Sequence, residues 1–228
     1  MYLKNRKAIV TGGPTREWID PVRFISNPSS GKMGAALADE CSRRARDTVF
    51  IHGPIEPSLI SMAPYRCVAV ETTADMLAAV SRELEENAVL IMAAAPADYS
   101  PVTRANRKIK KSGKKMSLEL ARTPDILKVV AAMKKEGRIS ELFVVGFAAE
   151  TNDIEEYALK KLAEKNLDMI CLNDVSRKDA GFGTDTNILT IFARDGMRKE
   201  LPLVSKQEAA ARIVDEIDAR LPRFLISC

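Results

Sequence analysis

One segment decides the fold: residues 7–34 read KAIVTGGPTREWIDPVRFISNPSSGKMG. The segment begins with a short apolar run, Lys7–Val10, and continues through glycines and small residues toward Gly34. An apolar strand that enters a glycine-containing loop before a helix is typical of α/β folds, in which ligands bind beyond the carboxyl ends of the strands. Glycines at that point expose backbone N–H groups to an anion, but they fit a tight structural turn equally well.

Two common nucleotide loops do not match this segment. Met33 follows Gly31 and Lys32, and Ser26 stands where a Walker A loop has its first glycine. A dinucleotide-binding fingerprint has its glycines close behind the strand and an acidic residue at the end of the second strand. The second strand candidate instead ends in His52 and a glycine. The segment therefore predicts neither a P-loop nor a standard dinucleotide site.

The rest of the chain alternates apolar strands with segments of helical period, which predicts a Rossmann-like, doubly wound, mostly parallel sheet. Several strand candidates are continuously apolar, as expected for strands that helices cover on both faces. Helical spacing is clear in Met76, Val80 and Leu84, and Thr123 and Pro124 predict another helix start. The strand candidates are Lys7–Val10, Thr48–Ile51, Cys67–Val70, Val89–Ala94, Leu142–Ala148 and Met169–Leu172.

After about Asp174 the pattern changes to glycine-rich turns around residues 180–183 and to two β-like pieces, Ile188–Phe192 and Leu201–Val204. A closing helix is expected from Lys206. We interpret this part as an antiparallel, β-rich addition to the main sheet. Because no linker or repeat is visible, residues 1–228 are expected to form a single domain.

Composition narrows the classes of function. Apolar residues make up 46% of the chain, enough for a sizeable core, and aromatic residues only 5%, which argues against a stacking platform for nucleic acid. The four cysteines have no metal-ligand spacing and His52 is the only histidine, so a zinc site or a Cys–His nucleophile is not expected. With no signal sequence and no apolar run of about 20 residues, we expect a cytoplasmic protein that does not enter the membrane.

The strand candidate that ends at Ala94 runs into a second loop, Ala95-Pro96-Ala97-Asp98. Its small side chains allow a ligand to approach the backbone closely. Asp98 suits a metal ion or a nucleotide group, and it suits a helix cap or a loop carboxylate as well.

A third loop is basic. Residues 104–115 contain seven lysines and arginines and no acidic residue. The pattern predicts a local anion site on a loop that can follow a phosphate group, with a solvated lysine-rich loop as the alternative.

A fourth loop follows the strand at Gly146–Thr151 and enters a helix for which Asn152 and Asp153 suggest a capping box. On that helix Tyr157, Lys161 and Lys165 are spaced four apart and share one face. The two lysines fit a phosphate site or a solvated helix face. At a later strand end, the pair at 173–174, Asn-Asp, is also expected to line a cleft.

Together these loops resemble one family. The motifs PTREWIDPVRFISNPSSGKMG, AAAPADY, KIKK, TPDIL, VVGFAAET and LNDV occur in the order and approximate spacing of the phosphopantothenoylcysteine synthetase (phosphopantothenate–cysteine ligase) family, from about Lys7 to Leu221. In many bacteria this enzyme is the second half of a fused protein whose first half is a flavin-dependent decarboxylase. The resemblance covers the ligase half, so it implies no FMN in this chain.

The resemblance implies a reaction in coenzyme A biosynthesis. Such enzymes use CTP and Mg²⁺, or another divalent cation, to activate 4′-phosphopantothenate as an acyl-cytidylate with release of pyrophosphate. Cysteine then displaces CMP and forms the amide. Family members are typically homodimers with a flap that closes over the active site.

The resemblance also implies site residues. Asn27 matches an asparagine that handles the acyl-cytidylate, and Lys108 matches the lysine of the flexible flap, so both are candidate catalytic residues. Asn27, Ser30 and Gly31 are candidates for binding the substrate, and Asp98 is the candidate metal ligand. The nucleotide-binding positions implied are Ala94, Ala95, Asp98, Lys108, Pro124, Asp125, Ile126, Leu127, Phe147, Lys161 and Lys165.

Two departures from the family pattern fall in these loops: Pro28 stands where histidine is frequent, and Pro96 where valine is common. Both leave open how the substrate and nucleotide loops are shaped. Because Asn27→Asp is nearly isosteric, we expect it to impair amide formation and to spare the loop around Asp98.

Two other classes of function remain open. An NAD(P)-dependent Rossmann oxidoreductase is suggested by the glycines after Val10 and by the Tyr157–Lys161 spacing. A nucleic-acid or partner-binding module is suggested by the basic segment 104–115, and steep salt dependence without turnover would identify it.

Overall fold

The computed structural model describes residues 2–110, 115–150, 154–174 and 186–222. The strands are β1 (Lys7–Gly12), β2 (Arg16–Trp18), β3 (Phe24–Ser26), β4 (Asp47–His52), β5 (Arg66–Ala69), β6 (Val89–Met92), β7 (Tyr99–Pro101), β8 (Leu120–Arg122), β9 (Phe143–Glu150), β10 (Met169–Asp174), β11 (Thr186–Ala193) and β12 (Arg198–Ser205). The helices are α1 (Lys32–Ser42), α2 (Thr73–Glu83), α3 (Ile126–Lys135), α4 (Ile154–Glu164) and α5 (Lys206–Arg220).

The main sheet has eight strands in the order β12-β11-β10-β9-β6-β1-β4-β5. The six strands from β10 to β5 in this order are parallel to one another. Along the chain, β4 and β5 lie to one side of β1, whereas β6, β9 and β10 lie to the other. The order therefore reverses between β1 and β6, and ligands in such sheets bind in the crevice beyond the carboxyl ends at that point. The predicted doubly wound α/β fold is confirmed.

Helices cover the sheet on both faces, which explains the continuously apolar strands. One core contains residues of α1 and α5, such as Leu37 and Ile213, and the other contains residues of α2, α3 and α4, such as Met76, Val130 and Ala158. On the first face α1 approaches β1 closely, because a Cβ at Gly34 would lie 2.7 Å from the Gly12 Cα. Because Gly34 has no side chain, the start of α1 can lie directly against the end of β1.

The predicted β-rich addition is also present. Strand β11 pairs antiparallel with β10, β12 pairs antiparallel with β11, and α5 begins at Lys206 as expected. Alternation along β11 buries Asn187, Leu189 and Ile191. The predicted glycine turn around residues 180–183 lies outside the described residues.

Two short antiparallel pairs were not predicted: β2 with β3, and β7 with β8. Each strand has three residues, too few for an alternating pattern to stand out. Residues 102–110, which include the described start of the basic segment, follow β7, and residues 115–119 precede β8.

One predicted helix cap was wrong. Asp125, not Thr123, is the N-cap of α3, because its side chain accepts a hydrogen bond from the Lys128 N–H. The Thr123 hydroxyl instead donates to the carbonyl of Ala97 at 2.6 Å. The capping box suggested at Asn152 and Asp153 lies outside the described residues. In the part of the chain that is described, every helix is too short or too polar to cross a bilayer.

Candidate functional site

The crevice between β1 and β6 contains two adjoining cavities. The first has a volume of about 330 Å³, and the second about 450 Å³. Ala94, Asp98 and Phe147 line both of them. The loop after β6 and Phe147 of strand β9 therefore form the wall where the two cavities meet.

The first cavity extends over the start of α1, where Ser29, Ser30 and Gly31 line it. Gly31 is the N-cap of α1 with a φ of 78° and no side-chain cap, a conformation that favours glycine. A Cβ at Gly31 would also lie 2.4 Å from the Ile55 side chain. As N-cap, Gly31 offers no capping side chain to the first-turn N–H groups of α1 at the cavity wall, an arrangement that suits an anionic group.

Asn27 lies between this loop and the loop after β6. Its amide nitrogen donates to the carbonyls of Ala95 at 3.3 Å and Pro96 at 2.9 Å. Proline keeps its carbonyl, so the departure at Pro96 retains this contact. The contact corrects the expectation that Asn27→Asp spares the loop around Asp98, because a carboxylate would face two carbonyl oxygens instead of donating to them.

The second cavity is built on the start of α3. Pro124, Asp125, Ile126 and Leu127 all line it, together with Lys165. The Lys165 ammonium lies 3.1 Å from a carboxylate oxygen of Asp125. Backbone groups at this helix start and a lysine with one-fifth of its side chain exposed give the cavity a polar wall.

Lys161 lines the first cavity, one helical turn from Lys165. Its ammonium lies 4.2 Å from the centre of the Tyr157 ring, over the face of the ring. A dehydrogenase of the Tyr-x-x-x-Lys type would need the Tyr157 hydroxyl to face a nicotinamide, and Tyr157 lines neither cavity. Strand β4 ends in His52, whose ring nitrogen lies 2.9 Å from the Gly53 carbonyl, and supplies no acid for a ribose.

Lys108 is exposed and lines neither cavity. The neighbouring Ile109 is held by Asp20, which accepts its N–H at 3.1 Å, while Arg23 donates to its carbonyl at 3.3 Å. Asp20 is fully buried, and hydrogen bonds from Arg23 hold the pKa of its carboxyl well below its usual range. The ionised Asp20 therefore fixes one point of the basic segment against the β2–β3 ribbon.

Lys206 and Asn187 are among the cavity residues that were not predicted from the sequence. Lys206, which is 5% exposed, donates to the Asn187 side-chain oxygen at 3.1 Å, and both residues line the first cavity. Asn187 could have been found in the sequence, because it is a polar residue at a position of β11 where the alternation of the strand predicts a buried side chain. Asn173 also lines this cavity as predicted, and its side-chain oxygen is buried without a hydrogen-bond partner in the part of the chain that is described. Such an acceptor suits a donor group of a polar ligand.

A metal ion would find few protein ligands here. Within the described ranges, no three His, Cys, Asp or Glu side chains are grouped to hold one. Asp98 is an exposed carboxylate on the wall shared by the two cavities. Mg²⁺ commonly takes one or two carboxylates and completes its shell with water and substrate phosphates, so this donor set fits a magnesium–nucleotide complex.

Of the residues expected at the site, all but Lys108 line one of the two cavities. Asn27, Ser30, Gly31, Ala95 and Lys161 belong to the first cavity. The helix-start residues and Lys165 belong to the second.

Comparisons with known proteins identify the family of the chain. Residues 3–221 match the family described as DNA/pantothenate metabolism flavoprotein C-terminal domain. The Coenzyme A biosynthesis bifunctional protein CoaBC of Bacillus subtilis (strain 168) is 46% identical over 220 residues, which cover 95% of this chain and 52% of that protein. The protein of the same name from Escherichia coli (strain K12) is 44% identical over 221 residues, which cover 96% of this chain and 53% of that protein.

A solved structure is similar over nearly its full length. The crystal structure of the C-terminal domain of Coenzyme A biosynthesis bifunctional protein CoaBC is 38% identical and superposes with a TM-score of 0.74, covering 95% of this chain and 96% of that one. The present chain spans about half the length of the curated relatives that it matches.

Proposed function

We propose, because the chain belongs to the family of the DNA/pantothenate metabolism flavoprotein C-terminal domain, that it is a CTP-dependent phosphopantothenate–cysteine ligase acting in coenzyme A biosynthesis. The observation that carries the proposal is the pair of adjoining cavities with Asp98 on their shared wall and Asn27 beside it. One cavity accommodates the nucleotide and the other the acyl substrate, so that a carboxylate and an α-phosphate meet where the two cavities join.

The chemistry has two steps. A carboxylate oxygen of 4′-phosphopantothenate attacks the α-phosphorus of CTP, which forms an acyl-cytidylate and releases pyrophosphate. The amine of cysteine then attacks the acyl carbon; the C–N bond forms, the C–O bond to CMP breaks, and the amine loses a proton. A free carboxylate is a poor electrophile, whereas a mixed anhydride carries a good leaving group, so no covalent nucleophile from the protein is needed.

The charges near the cavities suit this chemistry. Negative charge develops on phosphate oxygens in both steps, and preorganised donors stabilise it. Lys161 on one cavity and Lys165 on the other supply positive charge, and the uncapped start of α1 supplies N–H groups. Asp98 would hold Mg²⁺ together with the nucleotide, and the ion would supply charge neutralisation at the phosphates.

We place Lys108 in the reaction through closure of the basic segment. Residues 102–110 follow β7 and carry Lys108 exposed, and Arg104, Ala105 and Ile109 are among the residues that hold this stretch to the β2–β3 ribbon. Closure over bound nucleotide would bring its ammonium to the phosphates, and lysine on a long stem suits a moving charge.

The test is a pyrophosphate assay with the purified protein. Pyrophosphate release should require CTP, Mg²⁺ and 4′-phosphopantothenate, but not cysteine, and quenched mixtures should contain the acyl-cytidylate by mass spectrometry. Addition of cysteine should convert it to amide and CMP. Absence of pyrophosphate release from this substrate with both CTP and ATP would refute the ligase; release with ATP but not with CTP would refute only the choice of nucleotide. NAD(P)H binding by fluorescence would support the oxidoreductase alternative.

We also propose a homodimer, as the family resemblance implies. The β2–β3 ribbon and the β7–β8 hairpin lie side by side and expose large apolar side chains, among them Val22, Phe24, Tyr99 and Leu120. Clusters of exposed apolar residues of this kind mark interaction surfaces. Light scattering at micromolar concentration should give twice the chain mass, and Phe24→Ser with Leu120→Ser should give the monomer. A wild-type monomer would refute the dimer.

The remaining proposals concern the whole molecule. We propose that residues 1–228 fold as one domain, since the eight strands form one continuous sheet, and thermal unfolding should then show a single transition. We propose a cytoplasmic location and, because the relatives named bifunctional are about twice as long, physical association with a phosphopantothenoylcysteine decarboxylase half. Two separate unfolding transitions would refute the single domain.

A further inference from the structure

A buried carboxylate lies behind the site and takes no part in the chemistry described so far. Glu17, in the middle of β2, is 6% exposed. One of its oxygens accepts hydrogen bonds from the Thr73 N–H at 2.8 Å, the Thr73 hydroxyl at 2.9 Å and the Thr15 hydroxyl at 3.2 Å. Thr15 and Thr73 are themselves buried.

The same two threonines contact the loop that holds Asn27. The Ala97 N–H donates to the Thr15 hydroxyl oxygen at 2.9 Å, and the Ala97 carbonyl lies 3.3 Å from the Thr73 hydroxyl. One and two residues earlier in the loop, the carbonyls of Pro96 and Ala95 accept from Asn27. Hydrogen bonds at both ends of the Ala95–Ala97 backbone therefore connect Glu17 to Asn27.

Glu17 determines the direction of these bonds. A hydroxyl carries one proton and two lone pairs, and a carboxylate can only accept. The Thr15 hydroxyl lies 3.2 Å from Glu17 and 2.9 Å from the Thr73 hydroxyl, so its one proton is directed toward this cluster and away from Ala97, and a lone pair of Thr15 faces the Ala97 N–H. The same Glu17 oxygen accepts the first N–H of α2, which ties the start of that helix to the cluster.

We propose that Glu17 is a positioning residue: acting through the Thr15 hydroxyl, which accepts the Ala97 N–H, it holds the Ala95–Ala97 backbone, and with it Asn27, in the geometry that amide formation requires. The inference rests on the proposed ligase function for its kinetic readout. The nucleotide side of the loop has other supports, since the Ala94 N–H donates to Thr11 and the Asp98 carbonyl accepts from the Thr123 N–H. The second step should therefore depend on Glu17 more than CTP binding does.

The test compares Thr15→Val, which has the same shape but no hydroxyl, with Thr15→Ser, which keeps it. Small displacements of a reacting group cost about 10²-fold in rate. Thr15→Val should slow conversion of the acyl-cytidylate to amide by about that factor and leave the KM for CTP within about threefold, while Thr15→Ser should restore the rate. Glu17→Gln keeps the size and one acceptor but removes the charge, so it should fall between the two.

Asp75→Asn is the matched control, because Asp75 caps the same helix through Thr72 and has no described contact with residues 95–97. It should lower stability and leave the second step unchanged. Equal slowing by Asp75→Asn and Thr15→Val, or a wild-type rate in folded Thr15→Val, would overturn the proposal. If Thr15→Val does not fold, the rate of the second step is compared between Glu17→Gln and Asp75→Asn, and equal slowing of the two, or a wild-type rate in Glu17→Gln, would overturn the proposal.

Amide hydrogen exchange separates this proposal from the proposed function, because it needs no turnover. Exchange at Ala97 should accelerate in Thr15→Val and Glu17→Gln but not in Asp75→Asn. Unchanged exchange in the first two would refute the positioning role even in an active ligase. Accelerated exchange in a protein that forms no amide would support the network and refute the ligase.

Discussion

Two loops border the same crevice and are held in opposite ways. In the loop after β6, Ala94, Ala95 and Ala97 each donate a backbone hydrogen bond, to Thr11, Gly13 and Thr15 respectively. In residues 102–110, which contain the start of the basic segment, contacts to the β2–β3 side come from Arg104, Ala105 and Ile109. The first loop is preorganised by the sheet, and the second is attached at its edge.

The difference matches two tasks in phosphate chemistry. Groups that must meet a reacting atom work best when their support fixes them before the substrate arrives. A side chain that must approach the charge developing on a leaving phosphate is better carried by a segment that closes over the bound substrate. The comparison predicts that changes in the first loop impair the chemical step, whereas changes in the basic segment impair closure.

The largest effect is expected for Asn27→Asp. The change removes two donors to the Ala95 and Pro96 carbonyls and places a negative charge beside a phosphoanhydride. Turnover should fall by about 10³-fold, the upper range for loss of an active-site donor. Quenched reactions analysed by mass spectrometry should show almost no amide, and acyl-cytidylate should form more slowly than in the wild type because the loop around Asp98 is also disturbed. Asn166→Asp on a remote turn, where Arg194 can still donate to the side chain, is the control, and normal turnover by Asn27→Asp would remove Asn27 from the site.

A smaller effect, about 10²-fold on turnover, is expected for Lys108→Gln, because one exposed cation contributes after closure but nothing to packing. Lys115→Gln, at the far end of the same basic segment, should be near wild type in turnover and in unfolding temperature. Steady-state kinetics with saturating CTP distinguishes the two. Equal, small effects would restore the interpretation of a solvated lysine loop.

Substitution of Asp20 removes the acceptor of the Ile109 N–H and so tests what holds the basic segment to the β2–β3 ribbon. The pKa of the Asp20 carboxyl is lower in the folded protein than in the unfolded chain. Ionised Asp20 therefore stabilises the folded protein fully at any pH above its unfolded-state pKa, and this stabilisation is lost only as the pH falls through its lower, folded-state pKa. Asp20→Asn should therefore speed tryptic cleavage after Arg104, Arg107 and Lys108 several-fold at neutral pH. Asp215→Asn, which loses an exposed ion pair with Arg44, should not. Wild-type cleavage that already accelerates between pH 7 and about pH 5 would contradict the role of Asp20.

The smallest effect is expected for Lys165→Gln. Its partly exposed pair with Asp125 should contribute no more than about 1 kcal/mol to the free energy of unfolding, measured with urea. Its contribution to nucleotide binding should show as a several-fold higher KM for CTP. Lys160→Gln, on the exposed side of α4, should leave KM unchanged. A stability loss well above 1 kcal/mol would mean that Lys165 is structural.

Much of the fold followed from local pattern. All six parallel strands were predicted within two residues at each end, because a strand buried on both faces needs a continuous apolar run. Lys206 was correctly taken as the start of α5. The short pairs β2–β3 and β7–β8 were missed because three-residue strands depend on contacts with the rest of the molecule. Asp125 caps α3 in place of Thr123 for the same reason: Thr123 is engaged by Ala97.

The sequence by itself determined which chemical groups are available and on which strand ends they lie, because periodicity and glycine placement act within a few residues. Only the tertiary structure decided which of those groups meet. Asn27 reaches carbonyls 68 and 69 residues away, Glu17 reaches Thr73 across 56 residues, and Lys206 meets Asn187 across 19. Such contacts follow from the order of strands in the sheet, where β1 and β6 become neighbours, and no local pattern in the sequence records that order.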